Sequence, residues 1–321
     1  MQVSFSTLKG HKDSVTCMLD HPMGLITGSE DRTVRIWDTR MNRAVKCICG
    51  MFDDEIACLS TYPLNDYTVC VGCEAFVTFY DLRNPSALIQ ECIGVTDCND
   101  ADVNRCFPMD PGHSDEIAIC DDDGTVAIWN CRTDEETIIL EGMHQSICTD
   151  VVPLTLNGNR VIATSGYDQC VFLTNMEGVA FFHWSMTPLT SALPSVNPPF
   201  VYKLAYDDRR DRLYCGLMDG SVRYLKYEEK KGTVIPVITT HTGGVSDLQS
   251  WEKNNQHFLL SSANDCLFLV NKEVNSDLSL FQEVERIELR WKPNCFVRIG
   301  DDIYFGGLSK DVLRANGAFR V

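Results

Sequence analysis

The sequence lacks the features of a secreted or membrane-spanning protein. It contains no Asn-x-Ser/Thr site for N-glycosylation, no apolar stretch long enough to cross a membrane and no apolar signal-peptide core near its start. Its 16 cysteines would suggest disulfides in a short secreted chain, yet they mostly occupy strand positions, where a small apolar residue packs well. We therefore expect an intracellular protein, cytoplasmic or nuclear, with free thiols.

Positive charge is also scarce. The chain has 28 Lys and Arg residues against 45 Asp and Glu residues, a formal net charge of −17, and no run of five basic residues. Non-specific binding to nucleic acid depends on Lys and Arg side chains that neutralise phosphates. The composition therefore disfavours nucleic acid as a partner. We expect a chain that is monomeric on its own, binds proteins and makes no membrane contact.

The stretch Thr27–Asp38 is the pattern around which the rest of the chain is organised. Small Gly28 and Ser29 allow neighbouring backbone to approach closely, and Asp31 is placed to accept hydrogen bonds from the amides of a turn. Apolar and polar residues then alternate up to a Trp-Asp pair, which is the two-residue period of a strand with one buried face. The stretch predicts two short β-strands joined by a tight turn.

This unit recurs along nearly the whole chain. Successive anchor positions lie 43 to 51 residues apart. The seven anchors are Asp31, Glu74, Asp123, Asp168, Asp219, Asp265 and Ser309. A period of about 40–45 residues that starts with Gly-His and ends with Trp-Asp is typical of a propeller blade, and longer intervals indicate loop insertions. The chain therefore resembles the WD-repeat (WD40) β-propeller family.

The resemblance implies an all-β fold, with one seven-bladed WD40 β-propeller over residues 1–321. The seventh unit ends one strand short, whereas residues 2–8 alternate like a strand but precede the first repeat. Because a bare edge strand invites aggregation, we expect residues 2–8 to pair with Val312–Ala315 and complete blade seven. In blade two, the pattern predicts the fourth strand at Ala87–Cys92.

The resemblance also implies a structural hydrogen-bond network that runs from a loop histidine through a Ser or Thr to a Trp. The matching residues are His11, Thr27 or Ser29, Asp31 and Trp37 in blade one and, in part, His144 with Asp168 and His241 with Asp265. A catalytic His-Asp-Ser set is the alternative. Buried polar groups need partners, however, and this network supplies them. We therefore expect no catalytic residues and no enzyme activity.

No cofactor or metal site is predicted. Cys70-x-x-Cys73 and Cys47-x-Cys49 have the spacing of zinc or redox pairs, but a tetrahedral zinc site needs four ligands and no second Cys-x-x-Cys follows. The run Asp121–Asp123 lacks the spacing of an EF-hand, and a solvated turn explains it better.

A long connection separates blades four and five. Ser185–Pro199 adds about a dozen residues where most connections need only a few, and its four prolines make it stiff. In the family that the chain resembles, this connection lies on the upper face, where partners commonly dock. We expect the connection and nearby turn residues to form a partner-binding surface. Its candidate residues are Arg32, Tyr167, Gln169, Trp184 and Leu193.

Three consecutive blades end their third strand with an arginine two places past the Asp position. These are Arg40 in Trp-Asp-Thr-Arg, Arg83 in Tyr-Asp-Leu-Arg and Arg132 in Trp-Asn-Cys-Arg. They resemble the Trp-Asp-x-Arg motif of substrate receptors that dock on the damaged-DNA-binding adaptor of cullin-4 ubiquitin ligases. A guanidinium is a planar fork that pairs bidentately with carboxylates of a partner. The alternative is that each Asp and Arg pair only across their own turn.

We interpret the chain as a non-catalytic protein-interaction propeller, and the resemblance implies a substrate receptor of a cullin-4 ubiquitin ligase. A general scaffold, or a peptide- or histone-binding propeller without a ligase role, is the alternative. A propeller enzyme is less favoured, because it would need a convergent polar cluster in a pocket. Fold alone does not settle function.

Overall fold

The regular elements of this chain are β-strands. The computed structural model describes residues 3–110, 114–156, 158–188, 197–228, 231–275 and 280–318. Within these ranges there is no helix, and the strands form seven sheets that are antiparallel except for one two-residue pairing. The predicted all-β fold class, a seven-bladed β-propeller, is confirmed.

The blades fall into two compact units. The first comprises Met1–Asp121, Ala127–Thr137 and Pro293–Val321, and the second comprises Asp122–Val126 and Ile138–Lys292. The first unit begins with β1 (Ser4–Lys9) and then blade one, which consists of β2 (Val15–His21), β3 (Gly24–Ser29), β4 (Thr33–Asp38) and β5 (Arg43–Cys49). Next come β6 (Cys58–Thr61), β7 (Thr68–Cys73), β8 (Phe76–Asp81), β9 (Leu88–Ile89) and β10 (Gly94–Val95). Blade three consists of β11 (Val103–Pro108), β12 (Glu116–Asp121), β13 (Val126–Asn130) and β14 (Glu135–Leu140), of which Val126 and residues 138–140 belong to the second unit.

Blades four, five and six belong to the second unit. Blade four consists of β15 (Cys148–Leu156), β16 (Asn159–Gly166), β17 (Cys170–Asn175) and β18 (Ala180–Ser185). Blade five consists of β19 (Val201–Asp207), β20 (Arg212–Leu217), β21 (Val222–Glu228) and β22 (Lys231–Ile238). Blade six consists of β23 (Val245–Lys253), β24 (Gln256–Ala263), β25 (Leu267–Asn275) and β26 (Leu280–Glu288). The chain then supplies β27 (Pro293–Ile299), β28 (Asp302–Gly307) and β29 (Ser309–Asn316) to blade seven in the first unit.

The hairpin between the second and third strands of a blade has a fixed turn chemistry. The anchor aspartate is followed by a residue in the left-handed region, with φ of 60° at Arg32, 65° at Gln169, 78° at Gly124 and 85° at Gly220. Glycine adopts this conformation without steric cost, which explains the Asp-Gly pairs of blades three and five. At Gly124 a Cβ would also lie 2.5 Å from the His144 carbonyl oxygen, so this position has no room for a side chain.

The N-terminal strand completes blade seven. β1 pairs antiparallel with β29, with Leu8 opposite Val312. Both side chains are fully buried, and Trp37 and Tyr304 lie in the same apolar cluster. The predicted pairing of the N-terminal strand with the last blade is confirmed, and its bounds are Ser4–Lys9 rather than residues 2–8.

The outer part of blade two differs from the prediction. β9 pairs in parallel with β5 of blade one, and the two-residue β10 takes the outer position beside β8. Ile89 of β9 is buried in the apolar cluster that blades one and two share, and burial of such a side chain contributes about 1.5–3 kcal/mol. The prediction of Ala87–Cys92 as the fourth strand of blade two is therefore wrong, because burial of Ile89 favours pairing of this segment with blade one.

Candidate functional site

The predicted network of blade one is built around Thr27 on β3. His11 precedes β2, and its Nδ1 lies 3.0 Å from Asp31 Oδ2 while its Nε2 lies 2.7 Å from Thr27 Oγ1. Trp37 on β4 donates its Nε1–H to the same hydroxyl at 2.8 Å. His11, Thr27 and Trp37 are all buried. The structure therefore brings together the histidine, the aspartate, the threonine and the tryptophan.

Ser29 does not belong to this hydrogen-bond network. Its hydroxyl accepts a hydrogen bond from the Asp31 amide at 3.0 Å and donates one to the Asp13 carbonyl at 3.2 Å. The prediction of Ser29 as a middle member of the network is wrong. Successive residues on a strand face opposite sides, so Thr27 and Ser29 share a face. Trp37 pairs with Leu25, and Thr27 is two residues closer to that pair than Ser29 is.

The charges in blade one fit a structural role. Burial raises the pKa of Asp31, but hydrogen bonds from His11 and Thr33 outweigh burial and hold that pKa below its usual range. The Lys12 amide also donates to Asp31 Oδ2 at 2.8 Å. An aspartate with this many donors stays ionised and fixes the loop that carries His11. Its hydrogen-bond capacity is used within the fold.

Two further networks lie in the second unit. His144 Nδ1 lies 3.0 Å from Asp168 Oδ1 and its Nε2 lies 3.0 Å from Thr164 Oγ1. His241 Nδ1 lies 3.2 Å from Asp265 Oδ2, and its Nε2 lies 2.9 Å from the Ser261 hydroxyl. The final Trp is absent in both. In blade four, Thr174 stands at that end and its hydroxyl faces the Met143 sulfur at 3.3 Å.

Blade five replaces the histidine with an arginine that sequence reasoning missed. Arg223 on β21 is almost fully buried, and its Nη2 donates to Asp219 Oδ2 at 2.7 Å. Its Nη1 donates to the Thr187 carbonyl at 2.7 Å, which fixes the first part of the long connection. The available signal was an arginine four residues after the anchor aspartate, but Arg35 stands at the same place in blade one without that role.

The three arginines of the predicted adaptor surface have different surroundings. Arg40 is exposed, and among the described residues its side chain makes no hydrogen bond or ion pair. The Asp38 carboxylate instead accepts hydrogen bonds from the Arg40 and Met41 amides at 2.9 and 3.0 Å. The Asp of the Trp-Asp-x-Arg motif therefore caps its own turn.

Arg83 is held within blade two. Its Nη2 donates to Asp81 Oδ2 at 2.6 Å, and its guanidinium carbon lies 3.4 Å from the centroid of the Tyr67 ring. The hydrogen bond from Arg83 lowers the pKa of Asp81. Because the side chain of Arg83 is still 59% exposed, this ion pair adds little stability.

Arg132 is also paired, by a residue that the sequence did not indicate. Asn130 Oδ1 accepts from the amides of Arg132 and Thr133, whereas Asp115, which precedes β12, accepts from Arg132 Nε at 2.5 Å and Nη2 at 3.1 Å. These hydrogen bonds lower the pKa of Asp115. Asn130 replaces the Asp of the motif, and Asp115 supplies the carboxylate for Arg132 instead.

The turn that carries Arg40 is fixed from blade seven. Arg314 on β29 donates from Nη1 to the Thr39 carbonyl at 3.0 Å and to Asn42 Oδ1 at 3.2 Å. Its Nη2 binds Asp302 at 2.5 Å. Arg314 thus connects two blades of the first unit at the turn that carries Arg40.

The candidate partner-binding residues are placed as follows. Arg32 is exposed, Gln169 is half-buried, and Tyr167 stacks on Phe200 with centroids 5.2 Å apart. Trp184 is only 4% exposed and packs on Phe182, so its assignment to a binding surface is wrong. Its position on β18 turns it toward the core of the second unit. Leu193 lies outside the described residues.

The remaining expectations concern cysteines, cavities and membranes. All 16 cysteines are free, and no group of three or more His, Cys, Asp or Glu residues among the described residues is suited to a metal ion. A cavity of about 540 Å³ in the second unit is lined by residues that include Arg160, Glu177, Phe181 and Tyr227, with no Ser, Cys or His among them. The described residues contain no helix long and apolar enough to cross a membrane.

Comparison with known proteins places this geometry in context. The family model "WD domain, G-beta repeat" matches residues 2–38. The WD repeat-containing protein 53 homolog of Dictyostelium discoideum is 24% identical over 299 residues, which are 85% of this chain and 78% of that protein. WD repeat and FYVE domain-containing protein 1 of Bos taurus is 25% identical over 274 residues, 82% of this chain but 50% of that protein.

A shorter match gives higher identity. The THO complex subunit 6 homolog of Danio rerio is 38% identical over 78 residues, which are 21% of this chain. Propellers with WD repeats generally serve as non-catalytic protein-interaction scaffolds, and the names of these relatives agree with that general role. The chain is therefore a seven-bladed β-propeller whose residues 2–38 match a WD-repeat family model, and it is similar over most of its length to the WD repeat-containing protein 53 homolog.

Proposed function

We propose that this chain is a substrate receptor that docks on the damaged-DNA-binding adaptor of cullin-4 ubiquitin ligases, with Arg40 as the main anchor. The observation that carries the proposal is the state of the Arg40 side chain. It is exposed, and no carboxylate or carbonyl within the described part of the chain takes up its donors. Such a role implies a location in the cytoplasm or the nucleus.

A free guanidinium on a fixed turn is well suited to an interface. Arg40 keeps its planar donor fork for bidentate pairing with a partner carboxylate or for carbonyl oxygens. Its turn is already ordered by the Asp38 cap and by Arg314, so binding would require little additional ordering of backbone. An arginine in this state offers interface contacts without first breaking an internal ion pair.

Arg83 and Arg132 have supporting roles in this proposal. Each is already paired, Arg83 with Asp81 and Arg132 with Asp115. Pairing orients these guanidinium groups but reduces what a partner gains by binding them. Substrate would bind elsewhere, and the turn of blade four with Tyr167 and Gln169, beside the long connection, is the surface that we propose for it.

A plain scaffold that binds partners without any ligase adaptor is the second candidate. The ion pairs of Arg83 and Arg132 favour it, because an arginine that only braces its own turn needs no partner. The two candidates make opposite predictions for a purified adaptor.

A reconstituted pull-down separates them. Purified adaptor should be captured by the wild-type chain and lost from a double variant, Arg40→Ala with Arg83→Ala, whose melting temperature stays close to that of wild type. If the folded double variant still captures the adaptor, or if the wild-type chain does not capture it, the ligase-receptor proposal is wrong and the plain scaffold remains.

A further inference from the structure

The outer edge of blade two is formed by a very short strand. This strand, β10, has only two residues, as does β9 beside β5, whereas β1, β5, β14, β18, β22 and β26 have six to nine. Pairing with β8 continues on both sides of it, because the Ile93 amide donates to the Phe79 carbonyl at 2.8 Å and the Thr96 amide donates to the Val77 carbonyl at 2.9 Å. Beyond β10 no further strand is present among the described residues.

This edge exposes an apolar strip. Ile93 is 60% exposed and Val95 is 44% exposed, while Thr96, which follows β10, is fully buried. Since strand residues alternate between faces, Ile93 and Val95 share one face. Val95 lies opposite Thr78, and Phe76, two residues before Thr78 on β8, is 42% exposed on that same face. Ile93, Val95 and Phe76 form what we call the blade-two strip.

Two other blade edges carry protection that this one lacks. β5 has Arg43 and Lys46 and is also covered by β9, and β26 carries three Glu residues and one Arg among its apolar residues. Charged side chains, especially lysine, discourage further strand pairing at an edge. The blade-two edge has Glu91 as its nearest charge on one side and Asp97 on the other, with no lysine or arginine.

The charge around the strip is of one sign. Between Ser86 and Asn104 the chain has four acidic residues and no Lys or Arg. The four are Glu91, Asp97, Asp100 and Asp102, and all are exposed. None of the four forms an ion pair among the described residues. An occupant with basic residues would therefore meet complementary charge.

We propose that β10 is the docking edge for an extended segment of another protein, which adds as an outer strand to blade two and has alternating apolar residues flanked by lysine or arginine. Main-chain hydrogen bonds to an exposed edge supply affinity in this mode, and side chains at alternate positions supply specificity. Apolar side chains of the segment cover the blade-two strip, and its basic residues pair with Glu91 and Asp97. The proposal is independent of whether Arg40 binds the adaptor.

Charge argues against a second copy of this chain as the occupant. An antiparallel pairing of two β10 strands centred on Gly94 would place Glu91 of one copy opposite Asp97 of the other. Like charges directly opposite each other across strands are destabilising. The same register with lysine at both positions of a foreign segment makes two attractive pairs.

A synthetic peptide tests the proposal on the full chain. The probe is fluorescein-labelled Lys-Thr-Val-Thr-Val-Thr-Lys, whose valines would face Ile93 and Val95 when its lysines face Asp97 and Glu91. We expect binding by fluorescence anisotropy with a dissociation constant on the order of 10–100 µM, since short flexible peptides lose entropy on binding. Amide hydrogen exchange should slow in the segment that contains Gly94–Thr96.

Matched variants define the result that would overturn it. Val95→Lys should weaken binding about tenfold or more, while Val179→Lys, at a residue 55% exposed in another unit, should change it less than about twofold. Asp97→Lys should shift preference toward Glu-Thr-Val-Thr-Val-Thr-Glu, and a peptide with proline as its central residue should not bind. Absence of binding up to roughly 1 mM, equal binding by Val95→Lys, or a dimer in light scattering that Val95→Lys abolishes would each overturn the proposal.

Discussion

Thr27 joins two buried ring nitrogens in blade one through a single hydroxyl. His11 and Trp37 both depend on its Oγ1, at 2.7 and 2.8 Å. Thr27→Val keeps the shape but leaves the Trp37 N–H and a His11 nitrogen without this partner, which costs about 1–3 kcal/mol for each buried group left unsatisfied. We expect a clear fall in the free energy of unfolding, measured by urea denaturation.

The control for this prediction is Thr7→Val on β1, where the threonine is exposed. Surface substitutions of this kind usually change stability by less than about 0.5 kcal/mol. Equal stability of the two variants would contradict the role that we assign to Thr27.

The pair His144–Asp168 gives blade four a pH dependence. Burial lowers the pKa of His144, but interactions with Asp168 and Cys148 together outweigh burial and raise it to about 9 from 6.5. Because the folded-state pKa is raised, the stabilisation is complete below pH 6.5 and is lost as pH rises through about 9. The pKa of Asp168 is lowered, so its own contribution is present above pH 3.8 and is lost as pH falls through the folded-state value.

We expect the unfolding free energy to fall by on the order of 1–3 kcal/mol between about pH 6 and about pH 9.5. Asp168→Asn should reduce this change, because the neutral amide no longer favours protonated His144. The control is Asp100→Asn, which removes an exposed carboxylate that has no ion pair among the described residues. An identical pH dependence in the two variants would contradict the assignment.

At the residue scale, the sequence predicted which residue types meet but not every partner. The spacing of His11, Asp31 and Trp37 follows from the repeat, so these residues were predictable. The carboxylate that pairs with Arg132 was not, because Asp115 lies 17 residues away and meets it only through strand pairing. The orientation of Trp184 depended on which face of β18 is buried, and an aromatic strand that reads AFFHWS does not reveal that face.

At the scale of elements, β1 shows how a strand at the start of the chain stabilises its end. Leu8 is fully buried beside Val312, whereas Phe5 on the same strand is 49% exposed. Leu8→Ala should lower the free energy of unfolding by about 2–5 kcal/mol, because it removes core contacts and leaves a cavity. Deletion of residues 2–8 should be worse and should cause aggregation, since it bares the edge of β29.

Phe5→Ala is the matched control within β1, and we expect a much smaller loss in the same urea measurement. A variant without residues 2–8 that stays monomeric and has the melting temperature of wild type would contradict the role of β1 in stabilising blade seven.

Strand bounds were predictable where a turn signal and a two-residue period coincide. The hairpins at Asp123 and Asp219 lie where their Asp-Gly pairs indicated. The segment after Arg83 has apolar residues at several positions but no comparable turn signal, so its pairing depended on tertiary packing. Ile89 is buried against blade one, and this leaves only Gly94–Val95 for the edge of blade two.

At the scale of the whole molecule, the cysteines support a chain that folds without disulfides. All 16 are free, and burial is the first cause that raises the pKa of the Cys17 thiol to about 12 and of the Cys73 thiol to about 11. Thiol titration of the denatured protein without reductant should recover all 16 thiols.

In the native protein we expect the exposed Cys92 to react first, because most other thiols are shielded. Cys92→Ser should remove that fast phase and lower the total by one. Fewer thiols than cysteines in freshly prepared denatured protein would show that disulfides form.

The central proposal is that this β-propeller binds a ligase adaptor through Arg40, and one affinity measurement tests it most directly. Isothermal titration with the purified adaptor compares wild type, Arg40→Gln and Arg32→Gln. Arg32 and Arg40 are both exposed and flank the two ends of β4, so the second variant removes the same charge from the same blade. We predict that Arg40→Gln weakens binding by about 2 kcal/mol, roughly 30-fold, as an interface anchor does, and that Arg32→Gln binds like wild type. Equal affinity of the two variants, or no heat of binding with the wild-type chain, would contradict the claim.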